Sequence, residues 1–309
     1  MRPPRLLIAL VVLFGATVAA AGYWLLSNRP GAALERYLAE ARQRAASVRP
    51  APPAATTFRA TVCEARGCVL VEAGGMAFLF GAGEGTAQSL KAMGLLRPDI
   101  DAVLLPDLDT ETVAGLPGLA LAVGAEGRKL PLRVSGPPGL VAVVDGANLL
   151  GASDAGVRLN AAPDGEDQGL AGRIVLDTGV VAIRLFVSPG GQGRAYRVDF
   201  DGKSLVLAGC RAGQDALLAA ARGTAQAAGI VMAGSERLAP GEEDCTDLDS
   251  VLAAAGKGRL AAVLIMPAVA RSAKAAWMDL LGDRVGPVLK LGASPARMDL
   301  TGPEPRLSE

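Results

Sequence analysis

The sequence predicts an α/β domain that follows an N-terminal apolar segment. From about Phe58 onward, short apolar runs bounded by Gly, Pro and Asp alternate with segments of helical spacing, which is typical of strands and helices packed in layers. Half of the 309 residues are hydrophobic and 4% are aromatic, so we expect a core of small aliphatic side chains. The chain contains no histidine, and this restricts its chemistry more than any motif does.

Charge and composition argue against two common classes of function. The chain has 31 Lys and Arg residues against 31 Asp and Glu residues, so its formal net charge is zero. Without an excess of positive charge, nothing in the composition supports nucleic-acid binding. Without histidine, the Ser-His and Cys-His arrangements of nucleophilic hydrolases are also excluded, because the base that takes the proton is missing.

Residues 1–27 are predicted to be a membrane anchor. Two arginines precede an apolar run at residues 6–26, close to the roughly 20 residues that cross a bilayer as a helix. Tyr23 and Trp24 stand where aromatic side chains often lie at a membrane surface. A removed signal peptide is the alternative, because the alanines at 19–21 offer a cleavage site. In either case the positive residues place the domain on the exported, periplasmic side of the inner membrane.

Composition sets three further boundaries. Residues 28–57 are predicted to form a juxtamembrane helix and then a Pro- and Ala-rich spacer. The folded domain is expected to cover residues 58–301. Residues 302–309 are then a short tail.

Local patterns predict several elements within the domain. Strands are expected at 58–62, 69–73 and 76–80, and Gly74-Gly75 between the last two predicts a hairpin turn. The runs at 120–123 and 130–134 are also expected to be strands. A polar connector at 151–172 is expected to be a surface excursion or a linker. Further on, we expect helices at 248–255 and 268–281 and a last strand pair at 288–291 and 296–300.

A glycine turn follows one of the predicted strands. The apolar run that ends at Phe80 leads into the sequence GAGEGT and then into a segment of helical spacing. The turn consists of Gly81, Gly83, Glu84 and Gly85. The motif is also similar to part of a dinucleotide-binding fingerprint, but Thr86 holds the place of the third glycine. A tight turn is therefore a sufficient interpretation.

An acidic loop follows the next predicted strand, Ile100 to Leu105. The sequence PDLDTET places carboxylates at every second position, at Asp107, Asp109 and Glu111. Oxygen ligands of this kind suit a hard cation such as calcium, magnesium or manganese. Such a cation takes about six or more oxygens and this loop supplies three carboxylates, so a solvated loop is the alternative.

At these residues the chain resembles the ribonuclease Z and arylsulfatase-like branch of the metallo-β-lactamase superfamily. In that family a D-x-G-E-G-T turn is followed by a strand ending in T-H-x-H-x-D-H and then by V-G-G-L-P-G-L. Here the frames GAGEGT and VAGLPGL are present, and a later segment, Ala195 to Cys210, matches the family's second ligand-bearing hairpin. The resemblance implies an αββα sandwich of two mixed sheets with helices outside.

The resemblance also implies where a zinc site would lie. Asp107 and Asp109 stand at the positions of the first two zinc-binding histidines. Glu111 stands for the aspartate, and Thr112 for the third histidine. Cys210 takes the position of the aspartate that bridges both metals, and Arg211 takes that of the threonine after it. The frames of these loops are thus kept while their ligands are replaced, which implies a degenerate metal site.

Three further strand ends lack the histidine that the family carries. They read Val187 to Pro189, Ala233 to Gly234, and Met266 to Pro267. We therefore expect no cofactor and no catalysis, but a protein that binds an unknown partner protein or small molecule in the former active-site cleft. The alternative is a hydrolase of phosphate or sulfate esters that uses Asp107, Asp109 and Glu111 with a different metal.

Four cysteines complete the set of candidate residues. An even number of cysteines in an exported domain favours disulfides over free thiols. Cys63 and Cys68 flank a four-residue loop, so a local bridge between them is the first expectation. Cys210 would then pair with Cys245. A small buried Cys210 without a bridge is the alternative.

Overall fold

The structure is a computed structural model. It describes residues 17–18, 52–63, 67–151, 156–164, 169–189, 194–209, 211–222, 227–232, 260–266, 289–291, 296–302 and 304–308. The chain divides into two units, Met1–Arg49 and Pro50–Glu309. Apart from Thr17 and Val18, the predicted anchor lies outside the described residues. In the described part of the chain, no helix combines the length and the apolar character needed to cross a membrane.

Two mixed β-sheets form the second unit. In chain order the described strands are β1 (Phe58–Val62), β2 (Val69–Ala73), β3 (Met76–Phe80), β4 (Ala102–Leu104), β5 (Leu132–Gly136), β6 (Leu159–Pro163), β7 (Arg173–Asp177), β8 (Ala182–Val187), β9 (Arg194–Phe200), β10 (Lys203–Ala208), β11 (Ala227–Met232), β12 (Leu260–Met266), β13 (Leu289–Leu291), β14 (Arg297–Asp299) and β15 (Arg306–Ser308). One sheet has the order β15-β14-β1-β2-β3-β4-β5-β6 and the other β13-β12-β11-β10-β9-β8-β7.

Helices cover the outer faces of both sheets. They are α1 (Thr86–Ala92), α2 (Thr110–Val113), α3 (Leu116–Ala125), α4 (Leu140–Leu150) and α5 (Gly213–Ala221). Leu90, Leu119 and Val144, from α1, α3 and α4, are buried with Leu79 of the first sheet in one apolar cluster. The fifth helix packs on β8 and β9 of the second sheet. With helices on both outer sides, the layers follow the predicted αββα order.

The main core lies between the two sheets. Phe80 of β3 and Tyr196 of β9 meet edge to face with their ring centroids 5.7 Å apart, and Tyr196 is fully buried. Phe58 and Phe200 make a second contact of the same kind, also at 5.7 Å. Because these rings come from facing sheets, their burial fixes how the two sheets stack.

Local sequence signals gave the first three strands with the observed bounds. The antiparallel pair β2 and β3 is joined by Gly74 and Gly75, whose φ values are 60° and 84°. Two positive φ angles in a two-residue loop are typical of a hairpin turn whose twist matches that of its strands. The predicted hairpin is therefore confirmed.

Other predictions differ from the structure. The run Ala120 to Val123 was predicted as a strand but belongs to α3, because an apolar helix that begins at Leu116-Pro117 lacks the polar face that reveals helical spacing. The polar connector predicted at 151–172 contains β6, which pairs in parallel with β5. The predicted terminal strand pair is not a pair, because β13 and β14 lie in different sheets.

The chain's last segment also carries structure. Arg306–Ser308, within the predicted tail 302–309, pairs antiparallel with β14. The helices predicted at 248–255 and 268–281 lie outside the described residues.

Candidate functional site

The motif residues gather at one edge of the first sheet. Strands β3, β4, β5 and β6 run parallel, so their carboxyl ends share that edge. The turn at 81–85 follows β3, the acidic loop at 106–112 follows β4, and Asp164 follows β6. The second sheet adds Gly209 and Arg211, which follow β10. We call this set of residues the site edge.

The end of β10 lies against the acidic loop. A Cβ placed on Gly209 would lie 2.8 Å from Pro106 Cβ and 3.0 Å from Asp107 Oδ2. A side chain at position 209 would therefore collide with the loop. The approach brings the residues after β10 within reach of the carboxylates after β4.

The glycine turn is hydrogen-bonded to the acidic loop. Gly81 N–H donates to Leu104 O at 2.8 Å, and Ala82 N–H donates to Thr112 O at 2.7 Å. Gly81 and Gly85 have φ values of 71° and 80°, which a residue with a side chain rarely adopts. Gly83 and Glu84 lie in the same turn, and Glu84 is exposed. The turn thus supports the acidic loop and also leads into α1.

Asp107 is buried in the acidic loop and bonded within it. Its side chain accepts a hydrogen bond from the side chain of Thr112 and one from Asp109 N–H, with Oδ1 3.2 Å from that nitrogen. Burial raises the pKa of Asp107, and the hydrogen bond from Thr112 opposes that rise. Asp109 precedes α2, and its carbonyl accepts from Thr112 N–H at 2.8 Å. The loop's predicted candidates therefore lie together.

An arginine faces these carboxylates. Arg211 Nη2 lies 3.5 Å from Asp109 Oδ1. The positive charge of Arg211 also lowers the pKa of Asp107, although burial has the larger, opposite effect. Arg194, at the start of β9, is 3% exposed, and this burial lowers its pKa, while the carboxylates of Asp164 and Asp107 act in the opposite direction.

The site edge contains a second buried carboxylate, that of Asp164. Tyr196 Oη lies 2.7 Å from Asp164 Oδ2 and 3.0 Å from Leu105 O, so it joins the two sheets. Burial raises the pKa of Asp164 to about 6, while the hydrogen bond from Tyr196 and the charge of Arg194 act in the opposite direction. Burial likewise raises the pKa of Tyr196, which stays neutral.

The predicted Cys63–Cys68 bridge is confirmed and lies beside the acidic loop. The two Cα atoms are 5.3 Å apart. Inside the bridged loop, a Cβ on Gly67 would lie 2.4 Å from Glu111 O. Gly67 therefore lies against the backbone of the acidic loop. Cys210 and Cys245 lie outside the described residues, so their pairing stays a prediction.

A cavity of about 260 Å³ lies elsewhere, between α3 and α4. Its lining residues are Ala120, Ala147, Asn148, Gly151, Gly156, Val157 and Arg158. It contains no carboxylate and none of the motif residues. The site edge, not this cavity, is the candidate functional site.

The comparisons with known proteins agree with this architecture. No protein-family model matches the chain. Ribonuclease Z of Mycobacterium marinum is 35% identical over 152 residues, which cover 45% of this chain and 54% of the relative. Ribonuclease Z of Clostridium kluyveri is 37% identical over 82 residues, 26% of this chain and 27% of the relative. The chain thus spans about half or less of the length of these relatives.

Solved structures give the fold. The short form of human tRNase Z matches 67% of this chain and 92% of its own, with a TM-score of 0.56 and 16% identity. The metallo-β-lactamase-fold protein YhfI of Bacillus subtilis matches 79% of this chain and 99% of its own, with a TM-score of 0.56 and 13% identity. This chain has the metallo-β-lactamase fold, and the part of it that the curated relatives match is similar to ribonuclease Z. The expected resemblance is confirmed.

The described side chains of this metallo-β-lactamase-fold protein do not fit a zinc site. No imidazole is available anywhere in the sequence. Among the described residues, no group of three or more His, Cys, Asp or Glu side chains is placed to hold a metal ion. Ser188 follows β8, at one of the strand ends that lack the family's histidine, and its hydroxyl donates a hydrogen bond to Ala212 O. Zinc prefers nitrogen and sulfur ligands, so this donor set does not suit it.

Sequence reasoning missed the role of Asp164, Arg194 and Arg211. Arg211 was noticed only as a replacement within the hairpin motif, and Asp164 fell in a segment predicted to be a surface excursion. A signal for Asp164 was present, because a Pro-Asp dipeptide occurs near the end of both β4 and β6, as Pro106-Asp107 and as Pro163-Asp164. Parallel strands of one sheet with similar endings place both carboxylates at one sheet edge.

Proposed function

We propose that the protein is a membrane-anchored, exported member of this fold that does not catalyse hydrolysis. In this proposal the site edge binds a partner protein or a small ligand. The observation that carries the proposal is that the carboxylates of the acidic loop already have partners within the protein. Asp107 and Asp109, which replace two zinc ligands, are bonded to Thr112, to the loop backbone and to Arg211.

The chemistry of hydrolysis supports the same conclusion. In zinc hydrolases the metal brings the pKa of its bound water near neutrality, and the resulting hydroxide attacks the substrate. A general base could replace that step, but the chain has no histidine to supply one. Asp164 has a pKa of about 6, but its carboxylate is bonded to Tyr196 and buried beneath the site edge. Asp164 is therefore not placed to act as a general base on a substrate at the site edge.

The absence of hydrolysis is the first prediction. With bis(p-nitrophenyl) phosphate or p-nitrophenyl sulfate as the probe, we expect the purified protein to release no more p-nitrophenol than buffer does, with or without added zinc or manganese. The Asp107→Ala/Asp109→Ala variant is the matched control. Hydrolysis by the wild-type protein that this variant loses would contradict the proposal and would support the ester hydrolase instead.

Membrane attachment is the second prediction. It is supported by the apolar run at residues 6–26, which follows two arginines and includes Tyr23 and Trp24. We expect the full chain to stay with membranes after an alkaline carbonate wash, and a reporter fused after Glu309 to be active only in the periplasm. A soluble periplasmic product that begins near Gly22 would show that the segment is a removed signal peptide.

A further inference from the structure

We propose that Arg211 supplies, from within the chain, the positive charge that metal ions supply in the zinc hydrolases of the resembled family, and that it thereby keeps divalent cations from the acidic loop. The inference deepens the non-catalytic function proposed above and rests on it. It concerns how the carboxylates of a lost metal site are kept stable.

The position of Arg211 follows from the backbone. Gly209 leaves no room between β10 and the acidic loop, since a Cβ there would meet Pro106 and Asp107. The chain then turns into α5, and Arg211 lies in that turn, directly opposite the loop. In the resembled hairpin motif this is the residue after the metal-bridging aspartate. Arg211 therefore projects its guanidinium from the segment that delivers a metal ligand in the family.

The positive charge of Arg211 lies close to the negative charges of the acidic loop. Arg211 Nη2 lies 3.5 Å from Asp109 Oδ1, with side-chain exposures of 32% and 26%. The same guanidinium favours the ionised form of Asp107, which is 8% exposed. A carboxylate that is largely removed from water needs an opposite charge or a hydrogen-bond donor nearby to remain ionised. Arg211 thus acts on both aspartates that replace histidines.

A divalent cation would have to compete with this arginine. A hard cation takes about six or more oxygen ligands, and two of the roughly four acceptor positions of the Asp107 carboxylate are already used by Thr112 and by Asp109 N–H. The cation would also lie close to the guanidinium of Arg211, a group that stays positively charged in proteins. Repulsion between the two positive charges therefore disfavours metal binding for as long as Arg211 is present.

Arg211→Ala in the full-length protein tests the inference. Removing the guanidinium leaves two carboxylates without their cation, so we expect the thermal midpoint to fall by about 2–4 °C, the shift typical of a partly exposed pair in a domain of this size. Millimolar MnCl2 should then raise the midpoint of the variant again. The wild-type midpoint should not respond to MnCl2.

Three matched variants complete the test. Arg222→Ala, at the exposed end of α5, should behave like the wild-type protein, and so should Arg211→Lys, which keeps the charge. If Arg211→Ala does not fold, Asp109→Ala/Arg211→Ala should fold, because the charge left without a partner is removed as well. An Arg211→Ala midpoint equal to that of Arg222→Ala, with no response to MnCl2, would overturn this inference alone. A response of the wild-type protein to MnCl2 would contradict the proposed function too.

Discussion

The stability of Asp164→Asn relative to the wild-type protein is expected to rise by about 2–3 kcal/mol between about pH 4 and pH 7. The cause is the buried position of Asp164 beside Tyr196. Its pKa is about 6 in the folded protein, against 3.8 for an ordinary aspartate. A difference of about two pKa units corresponds to about 3 kcal/mol of stability.

The sign follows from proton binding. Between pH 4 and 6 the folded state holds the proton of Asp164 more tightly than the unfolded state does. The stability that this group contributes is therefore complete below about pH 3.8 and is lost as the pH rises through about 6. Asparagine has the same shape and cannot ionise, and its oxygen can still accept from Tyr196 Oη. The variant should thus lack this part of the pH dependence.

Chemical denaturation at a series of pH values measures the effect. The matched control is Asp145→Asn on the exposed face of α4, which should follow the wild-type curve. Because Arg194, Arg173 and Arg133 also act on Asp164, the midpoint of the change should move with salt concentration. Identical pH dependence for the wild-type protein and Asp164→Asn would show that Asp164 is not the group responsible.

The fold could be predicted where local signals decide it. Strands β1 to β3 are short apolar runs joined by a Gly-Gly turn, and each neighbour in the chain is also a neighbour in the sheet. Strand β6 could not be recognised, because its only described strand partner is β5 and α4 separates the two in sequence. The helix α3 was misread because its buried and half-buried positions are nearly all apolar, which hides the helical period.

The candidate site, like the fold, contains residues that the sequence could predict and contacts that it could not. Asp107, Asp109 and Glu111 could be found because they lie within one loop whose sequence frame is recognisable. The bond of Tyr196 with Leu105 and Asp164 joins residues 91 and 32 positions apart, from different sheets. Hydrophobic periodicity in the sequence cannot predict such a contact, because the contact depends on how the two sheets stack. The ion pair of Arg211 and Asp109 was missed for this reason as well.

The central claim is that the acidic loop is neutralised by the protein itself rather than by a metal. At every recognised ligand position in the described residues, imidazole has been replaced, and the carboxylates that remain bond to Thr112, the loop backbone and Arg211. Two zinc ions bound by such a donor set would lack both nitrogen ligands and a bridging carboxylate. The binding of metal should therefore be weak enough to be lost in purification.

Bound metal measures this most directly. We expect elemental analysis of the full-length protein, purified without chelator, to show well under one equivalent of zinc, manganese or iron per chain. The thermal transition should also be the same before and after treatment with EDTA. One or more equivalents of metal, retained through purification and lost in Asp107→Ala/Asp109→Ala, would contradict the account.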